Sequence, residues 1–322
     1  MSDELANYSD EKRKEMSEEM LHDLLIDLRE KTWKWAKLTK QTPQAKMGYI
    51  GQHIVSIVTG YEGGRTGARG DDLVIPDEDT GEIKTCYRID QLGKCKDCKA
   101  SVSSWEEKCP NEECNSTNID RKDDSKWLFS PKSVEELEKL FAIKWIYCVL
   151  LEFEDINDGD SPIVVSIFQI DPSGKGFSNM IIDYYFNNKE AKEKNGKRPS
   201  PFNFWPDSPK FYLCKPERIY HAKISGNKIN TMIFPGLNDA KMFEIPSVAK
   251  WSRKKILDSG QLQDIMQRAS LSCSCKKQAD ECWVCFQKWR EEKNIPNEVL
   301  ADILIKYAYY EKNSDHDQHL PY

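Results

Sequence analysis

Two acidic residues and a lysine near residue 72 have types and spacing that suit phosphate-ester hydrolysis. Asp72 precedes a short apolar run and a turn, after which the chain reads Glu82-Ile-Lys84. Carboxylates are the hard oxygen ligands that Mg²⁺ prefers, and the ion keeps positions for water and a substrate phosphate. Such a site aligns a water with the leaving oxygen and offsets charge on the phosphate, while a neighbouring lysine orients or deprotonates the water. This pattern is typical of metal-dependent nucleases.

A β-hairpin is expected to bring these side chains together. Turn residues separate two apolar runs, and Glu82 and Lys84, which differ by two positions, share a face of the second strand. Asp72 joins that face only if paired residue numbers have an even sum, for example with Asp72 opposite Lys84. An odd sum would place Asp71 there instead. We favour Asp72, because it directly precedes the apolar run, and the sequence leaves both aspartates open. The expected strands are 72–75 and 82–89.

A glycine-rich segment leads into this hairpin. Residues 60–70 contain five glycines in eleven positions, and Arg65 and Arg69 lie among them. Glycines let the backbone lie close to a ligand, and the arginines suit a nucleic-acid backbone passing nearby. A surface loop without a ligand would have the same composition, and an acidic hairpin is also compatible with a solvated surface. Glu62, near the start of this segment, is a further candidate as an outer metal ligand.

The cysteine spacing predicts two structural metal sites. Cys95 and Cys98 are followed, after ten residues, by Cys109 and Cys114, and the two pairs can complete a tetrahedral zinc site. Four thiolates leave no open position for a reactive water, so Zn²⁺ is expected to be structural here. The alternative is a set of exposed, reactive thiols. A second set with a less regular first pair is a further zinc candidate: Cys273, Cys275, Cys282 and Cys285.

Charge and hydropathy limit the partners and the location of the chain. The formal net charge is -6, so nucleic-acid binding must depend on local basic patches, of which we favour Lys122, Lys126 and Trp127. Half of the first twenty residues are charged, and no apolar run approaches the roughly 18 to 20 residues of a spanning helix. We therefore expect no membrane contact and a cytoplasmic location. In a reducing compartment the eleven cysteines would be metal ligands or core residues.

The elements around the hairpin predict an α/β fold with a mixed sheet. Apolar residues recur at helical spacing before the hairpin, and Ser133 with Glu136 forms a capping box that opens another helix. Two apolar, β-rich runs that follow are typical of buried central strands. A polar segment at 187–210 is expected to be a long loop. The predicted helices are 9–40, 46–59 and 133–141, and the predicted central strands are 145–153 and 163–170.

Several of these segments together resemble the type II restriction endonucleases of the MamI group. The resemblance is specific over roughly residues 48–153 and is carried by TGARGDDL, GEIKTCYRIDQ, KCKDCK and RKDDSKWLFS. It implies a PD-(D/E)xK nuclease core, with a mixed sheet flanked by helices and with the zinc-binding Cys₄ modules as insertions. It also implies Mg²⁺-dependent cleavage of double-stranded DNA, with Asp72 and Glu82 as metal ligands and Lys84 as the catalytic lysine. Asp71 stands where the core motif has a proline.

This resemblance gives expectations for organisation and partners. Symmetric cutting of an interrupted palindrome, which the resemblance suggests, requires two active sites and hence a homodimer. Two other functions stay open: a structure-selective or repair nuclease on the same core, and a zinc-dependent DNA-binding protein without catalysis. The expected regions are an N-terminal helical region 1–43, a catalytic core 44–186 with a zinc module inserted at 92–130, a DNA-recognition lobe 187–252, and a C-terminal helical region 253–322 with the second cysteine cluster.

Overall fold

The computed structural model describes most of the chain as far as residue 237 and a few residues beyond it. The described residues are 5–39, 47–64, 72–77, 79–88, 93–102, 108–120, 126–153, 160–204, 206, 211, 213–237, 241–242, 292 and 294. Their contacts divide the chain into two units. The first comprises Met1–Trp127, Ile146–Gln169 and Arg218–Lys241, and the second comprises Leu128–Trp145, Ile170–Glu217 and Met242–Tyr322.

The described residues form helices and strands in an α/β fold. The helices are α1 Asp10–Leu21, α2 Leu28–Thr39, α3 Met47–Thr59, α4 Val134–Ala142, α5 Lys175–Tyr184 and α6 Ala191–Lys194. The strands are β1 Glu62–Gly63, β2 Leu73–Ile75, β3 Asp79–Arg88, β4 Gly93–Cys95, β5 Ser101–Val102, β6 Ile119–Asp120, β7 Trp127–Phe129, β8 Trp145–Phe153, β9 Ile163–Ile170, β10 Phe202–Phe204, β11 Glu217–Ser225, β12 Lys228–Ile233 and β13 Lys241–Met242. No helix in this described part is both long and apolar enough to cross a bilayer.

A large mixed sheet flanked by helices forms the core of the first unit. Its strand order is β1-β2-β3-β8-β9-β11-β12, and β13 pairs with β11. The central strand β8 is buried from Ile146 to Leu151, as its continuous apolar run predicts. The strands predicted at 145–153 and 163–170 are confirmed. The α/β prediction is therefore confirmed at the level of a mixed sheet with helices.

The N-terminal helical segment changes phase partway along its length. A π-helical stretch, His22–Asp27, joins α1 to α2, so the helix predicted over 9–40 is confirmed with an irregularity inside it. The apolar residue Leu25 is buried, whereas Trp35 is 59 % exposed and Leu38 is 73 % exposed. The i→i+5 pairing of a π-helix takes more residues per turn than an α-helix. Ala36, eleven residues after Leu25, is buried, so the buried face continues into α2 at that position while Trp35 and Leu38 lie on its exposed side.

The second unit contains α4, α5, α6 and a two-stranded sheet of β7 and β10. Ser133 Oγ accepts from the Glu136 N–H at the start of α4, and Glu136 Oε2 accepts from the Lys132 N–H. The helix and its Ser133 N-cap are confirmed, whereas the reciprocal bond of the predicted capping box goes to Lys132, one residue before the N-cap. Aromatic side chains form the core of this unit, with the Phe129 ring 5.3 Å from Phe177 in an edge-to-face arrangement.

The prediction of a long loop over 187–210 is wrong for its first half. A π-helical stretch, Tyr185–Glu190, continues into α6, and β10 follows. Ion pairs one turn apart support this helical extension, with Lys189 Nζ 3.3 Å from Glu193 Oε2 and Lys194 Nζ 3.1 Å from Glu190 Oε2. The polar composition that predicted a loop therefore supplies the helix with stabilising pairs.

Candidate functional site

The hairpin of β2 and β3 sets the geometry of the acidic site. Leu73 pairs with Gly81 and Val74 with Thr80, in antiparallel register. Paired residue numbers have an even sum, so the register that favours Asp72 over Asp71 is the observed one. Continued by one residue, this register places Asp72 opposite Glu82. A register with Asp72 opposite Lys84 would differ by two residues, and both registers place the same side chains on one face.

Burial alternates over Leu73–Ile75 and over residues 81–84 and separates a core face from an accessible face there, whereas Cys86, further along β3, is buried. Leu73, Ile75 and Ile83 are buried on the core side of the hairpin. Glu82 and Lys84 alternate with these positions, and each side chain is 30 % exposed. The acidic residues and the lysine therefore share the face that a substrate can reach.

Two hydrogen bonds fix the Asp72 carboxylate. Its Oδ2 accepts from the Ile83 N–H at 2.8 Å, and its Oδ1 accepts from Gln52 Nε2 at 3.0 Å. A carboxylate has about four lone-pair sites on its two oxygens, so these bonds leave acceptor capacity for a metal ion. Gln52 was not among the predicted site residues. It lies on α3, twenty positions before Asp72, and its role depends on how that helix packs.

A glycine lets α3 approach the hairpin closely enough for this contact. A Cβ at Gly51 would lie 1.8 Å from Thr85 Oγ1, so only a hydrogen at this position is compatible with the observed packing. Gln52 follows Gly51 directly and extends to Asp72. The close contact between helix and strand thus positions the Gln52 amide as a donor to the Asp72 carboxylate.

Glu82 and Lys84 are in direct contact. Lys84 Nζ donates to Glu82 Oε1, across the two-residue repeat of one strand. The lysine offsets the negative charge of the pair of carboxylates that faces solvent. Glu62, the further candidate ligand, lies on the adjacent strand β1 opposite Val74, which is an exposed residue of β2.

The predicted DNA-contacting residues are only partly within the described chain. The Trp127 side chain is 1 % exposed, and its Nε1–H donates to the Val149 carbonyl oxygen at 3.0 Å. In this structure its indole is part of the core, while the preceding residue, Lys126, is partly exposed. The other candidates lie outside the described residues: Arg65, Arg69, Lys122 and the alternative metal ligand Asp71.

The first cysteine cluster has the geometry of a tetrahedral metal site. The sulfurs of Cys95, Cys98, Cys109 and Cys114 all lie within 4.8 Å of one another. Cys98 Sγ is 3.3 Å from Cys109 Sγ, and Cys95 Sγ is 3.6 Å from Cys114 Sγ. Four sulfurs bound 2.3 Å from one ion at tetrahedral angles would be about 3.8 Å apart. The cluster could therefore hold one zinc ion.

The backbone around the cluster forms two tight turns. Lys99 and Asn115, each directly after a cysteine, have positive φ angles of 65° and 44°, which non-glycine residues rarely adopt. The Lys99 N–H donates to the Cys95 carbonyl oxygen, and the Asn115 N–H donates to the Asn111 carbonyl oxygen, both at 2.9 Å. These turns bring the two cysteine pairs together on the small sheet β5-β4-β6.

The electrostatics of the cluster also favour a cation. The Cys98 N–H donates to the Cys95 sulfur and lowers the pKa of Cys95 to about 7. Burial raises the pKa of Cys109 to about 12, and the negative charge of Cys95 adds to this effect. Like charges so close cannot all form without a compensating ion. The second cluster lies outside the described residues: Cys273, Cys275, Cys282 and Cys285.

Comparison with known protein families gives one match. The family model for the MamI restriction endonuclease matches residues 34–247, two thirds of the chain. The match covers the hairpin and the first cysteine cluster and ends before the second cluster. Comparisons with curated proteins and with solved structures gave no match.

Proposed function

The chain belongs to the MamI restriction endonuclease family, and from this we propose a type II site-specific deoxyribonuclease that hydrolyses double-stranded DNA with Mg²⁺. The observation that carries the proposal is the accessible face of the hairpin, where Asp72, Glu82 and Lys84 lie together. We assign this hairpin to a PD-(D/E)xK core within residues 44–186. The target would be an interrupted palindrome.

The donors of the site fit Mg²⁺ chemically. Asp72 and Glu82 offer hard carboxylate oxygens on neighbouring strands, and Mg²⁺ is commonly bound by one or two carboxylates together with substrate phosphate and water. Asp72 is held in place by Gln52 and the Ile83 N–H, so one ligand is preorganised. When bound, Mg²⁺ would supply electrostatic stabilisation of the charge that develops on the scissile phosphate. Glu62 is an outer ligand in this proposal.

Lys84 would act on the attacking water and the phosphate. Its ammonium is now in contact with Glu82, so it is already held within reach of the carboxylates. If Glu82 served as a metal ligand, Lys84 Nζ would be available to donate to a phosphate oxygen or to position the water for in-line attack. Because the chemistry depends on this geometry, removal of either side chain should stop hydrolysis.

The Cys₄ cluster would hold structural Zn²⁺. The strands β4, β5 and β6 have only two or three residues each, and few residues form their core. A sheet of this size buries too little apolar surface to be stable without a further source of stability, such as a bound metal ion. Zinc would supply that stabilisation and hold Lys122 and Lys126 beside the DNA. Arg65 and Arg69 of the glycine-rich segment are separate DNA contacts in this proposal. The same reasoning extends to the second cysteine cluster as a second structural zinc site.

Digestion of unmethylated phage-sized DNA, with Mg²⁺ and with EDTA, tests this function. We expect discrete Mg²⁺-dependent fragments whose sequenced ends share one interrupted palindrome, and a homodimer that cuts both strands. Smeared products or cutting confined to junctions would instead establish a structure-selective nuclease. Binding without cleavage under every metal condition would establish a zinc-dependent DNA-binding protein.

A further inference from the structure

Helix α2 carries a row of basic side chains that the proposed active site does not use. Lys31, Lys34 and Lys37 recur every three residues, and all three are exposed. Side chains three apart on a helix are neighbours, so these lysines form one surface, which we name the lysine ridge. The helix contains four basic residues and one acidic residue, in a chain whose net charge is -6. The positive charge of the ridge is thus a local feature.

Among the described residues, the lysine ridge has no ion pairs of the kind that neutralise other lysines on the same helical segment. In α1, Lys12 Nζ is 3.1 Å from Glu15 and Lys14 Nζ is 2.8 Å from Glu18. No described carboxylate lies within ion-pair distance of the lysine ridge. Two of its ammonium groups lie near tryptophan rings instead, at 5.6 to 5.8 Å from the ring centroids. A ring face attracts a cation but leaves its charge unneutralised.

Three neighbouring like charges destabilise a helix, which favours an anionic partner for this surface. The ridge extends about 9 Å along the helix axis, because six residues separate its ends at 1.5 Å each. One strand of a DNA duplex presents a phosphate about every 3.4 Å of axis, so about three phosphates match this length. The charge and spacing therefore fit a nucleic-acid backbone.

The covalent chain keeps the ridge near the proposed active site. Residues 39 and 47 are eight positions apart, which limits the distance between their Cα atoms to about 28 Å. Gln52, which contacts Asp72, lies about 8 Å further along α3. One turn of duplex spans about 34 to 36 Å. The ridge lies about 3 to 12 Å further back along α2, so it is at most about 48 Å from Gln52, and a duplex of about three helical turns bound at the proposed active site is long enough to reach it.

We propose that the lysine ridge binds the phosphate backbone of the DNA duplex outside the cleavage site, as a contact that is independent of base sequence. The inference rests on the proposed function in that the anion is the DNA substrate. Phosphate contacts fix the position of a protein on a duplex and carry no sequence information. The ridge would thus increase affinity for all sequences equally.

The test replaces the ridge by Lys31→Gln, Lys34→Gln and Lys37→Gln together. Glutamine has a helix propensity close to that of lysine, so the fold should be kept. Fluorescence anisotropy without Mg²⁺ would follow binding to a duplex of about three helical turns as salt is varied. We expect the slope of log K against log salt to become shallower by about 2 to 3, because each released phosphate contact contributes about 0.9. The affinity should fall alike for target and non-target duplexes.

A matched control removes three lysines that have glutamate partners: Lys12→Gln, Lys14→Gln and Lys194→Gln. This variant loses the same formal charge and should keep most of the slope. If the unaltered chain binds and cleaves DNA but the ridge variant keeps its full slope, the ridge proposal alone is overturned. A ridge variant that loses affinity only because its oligomeric state changes would assign this face to a protein contact. An unaltered chain without DNA binding would overturn both proposals.

Discussion

At the scale of single residues, Asp72 depends on partners from two other positions. Its two oxygens accept from Gln52 and from the Ile83 backbone, so the carboxylate is oriented before any ion binds. A preorganised ligand lowers the reorganisation needed during catalysis. Gln52 is therefore a positioning residue for the proposed metal site.

We predict that Gln52→Leu lowers cleavage by about 10- to 100-fold, as is usual when a partner of a metal ligand is lost. The cause would be a weaker hold on Asp72, so the Mg²⁺ concentration for half-maximal cleavage should rise. His53→Leu, at the exposed neighbouring position of α3, is the matched control and should leave both quantities unchanged. Equal Mg²⁺ dependence in Gln52→Leu and the unaltered chain would contradict this role.

The sequence predicted the shared face of Glu82 and Lys84 because strand alternation is a local property. The sequence left two registers open, in which paired residue numbers have an even or an odd sum. The pairing of Leu73 with Gly81 shows that the sum is even, so Asp72 lies opposite Glu82. Gln52 gave no signal, since its contact depends on how a helix packs against a distant hairpin. Trp127 was expected beside DNA on the basis of neighbouring lysines, and its burial depends on tertiary packing that composition does not reveal.

At the scale of elements, the contact between α3 and β3 links the position of the helix to the proposed active site. The absent side chain of Gly51 leaves room for Thr85, and the next residue contacts Asp72. A shift of α3 away from the strand would break the hydrogen bond from the Gln52 amide to Asp72. Stability and activity are therefore coupled at this contact.

Gly51→Ala is expected to destabilise the chain by about 1 to 3 kcal/mol, because the added methyl overlaps the Thr85 side chain. Cleavage should fall as well, since α3 must move outward. Gly48→Ala on the same helix has no atom within 4 Å of the added carbon and should be neutral or stabilise by up to about 1 kcal/mol. Urea unfolding of the two variants measures both values, and equal stabilities would show that α3 packs differently.

The cysteine module offers a second prediction at this scale. Cys98→Ser should remove about one zinc ion per chain, since three thiolates bind Zn²⁺ more weakly than four. Without zinc the short strands β4, β5 and β6 should unfold and become sensitive to protease, because metal binding and folding are coupled in small modules. Metal analysis and limited proteolysis would measure this.

Cys214→Ser, outside both clusters, is the control and should keep the zinc content of the unaltered chain. Unchanged zinc in Cys98→Ser would show that this cluster holds no metal.

The paired spacing of Cys95 with Cys98 and of Cys109 with Cys114 predicted the cluster well, because each pair needs only a tight turn. The shift in helical phase between α1 and α2 could not be predicted. The prediction assumed the same number of residues per turn along the whole helix, whereas His22–Asp27 is a π-helix with more residues per turn.

At the scale of the whole molecule, family membership indicates a restriction nuclease, and the mixed sheet flanked by helices is compatible with it. The matched residues, 34–247, include the hairpin of β2 and β3 and the first cysteine cluster. The two central strands were predicted with their observed bounds because buried strands have continuous apolar runs. The homodimer, the recognition lobe at 187–252 and the C-terminal region 253–322 stay predictions.

Cleavage and DNA binding by Glu82→Ala and Lys84→Ala test the central claim most directly. Each variant would be compared with the unaltered chain on plasmid DNA with Mg²⁺, and by anisotropy on a duplex without Mg²⁺. Asp79→Asn, on the same strand but at the alternate phase, is the matched control and should cleave normally. We predict that both alanine variants lose cleavage and keep binding, since the hairpin supplies the chemistry and other surfaces supply the affinity. Full cleavage by either variant would show that the active site lies elsewhere in the chain.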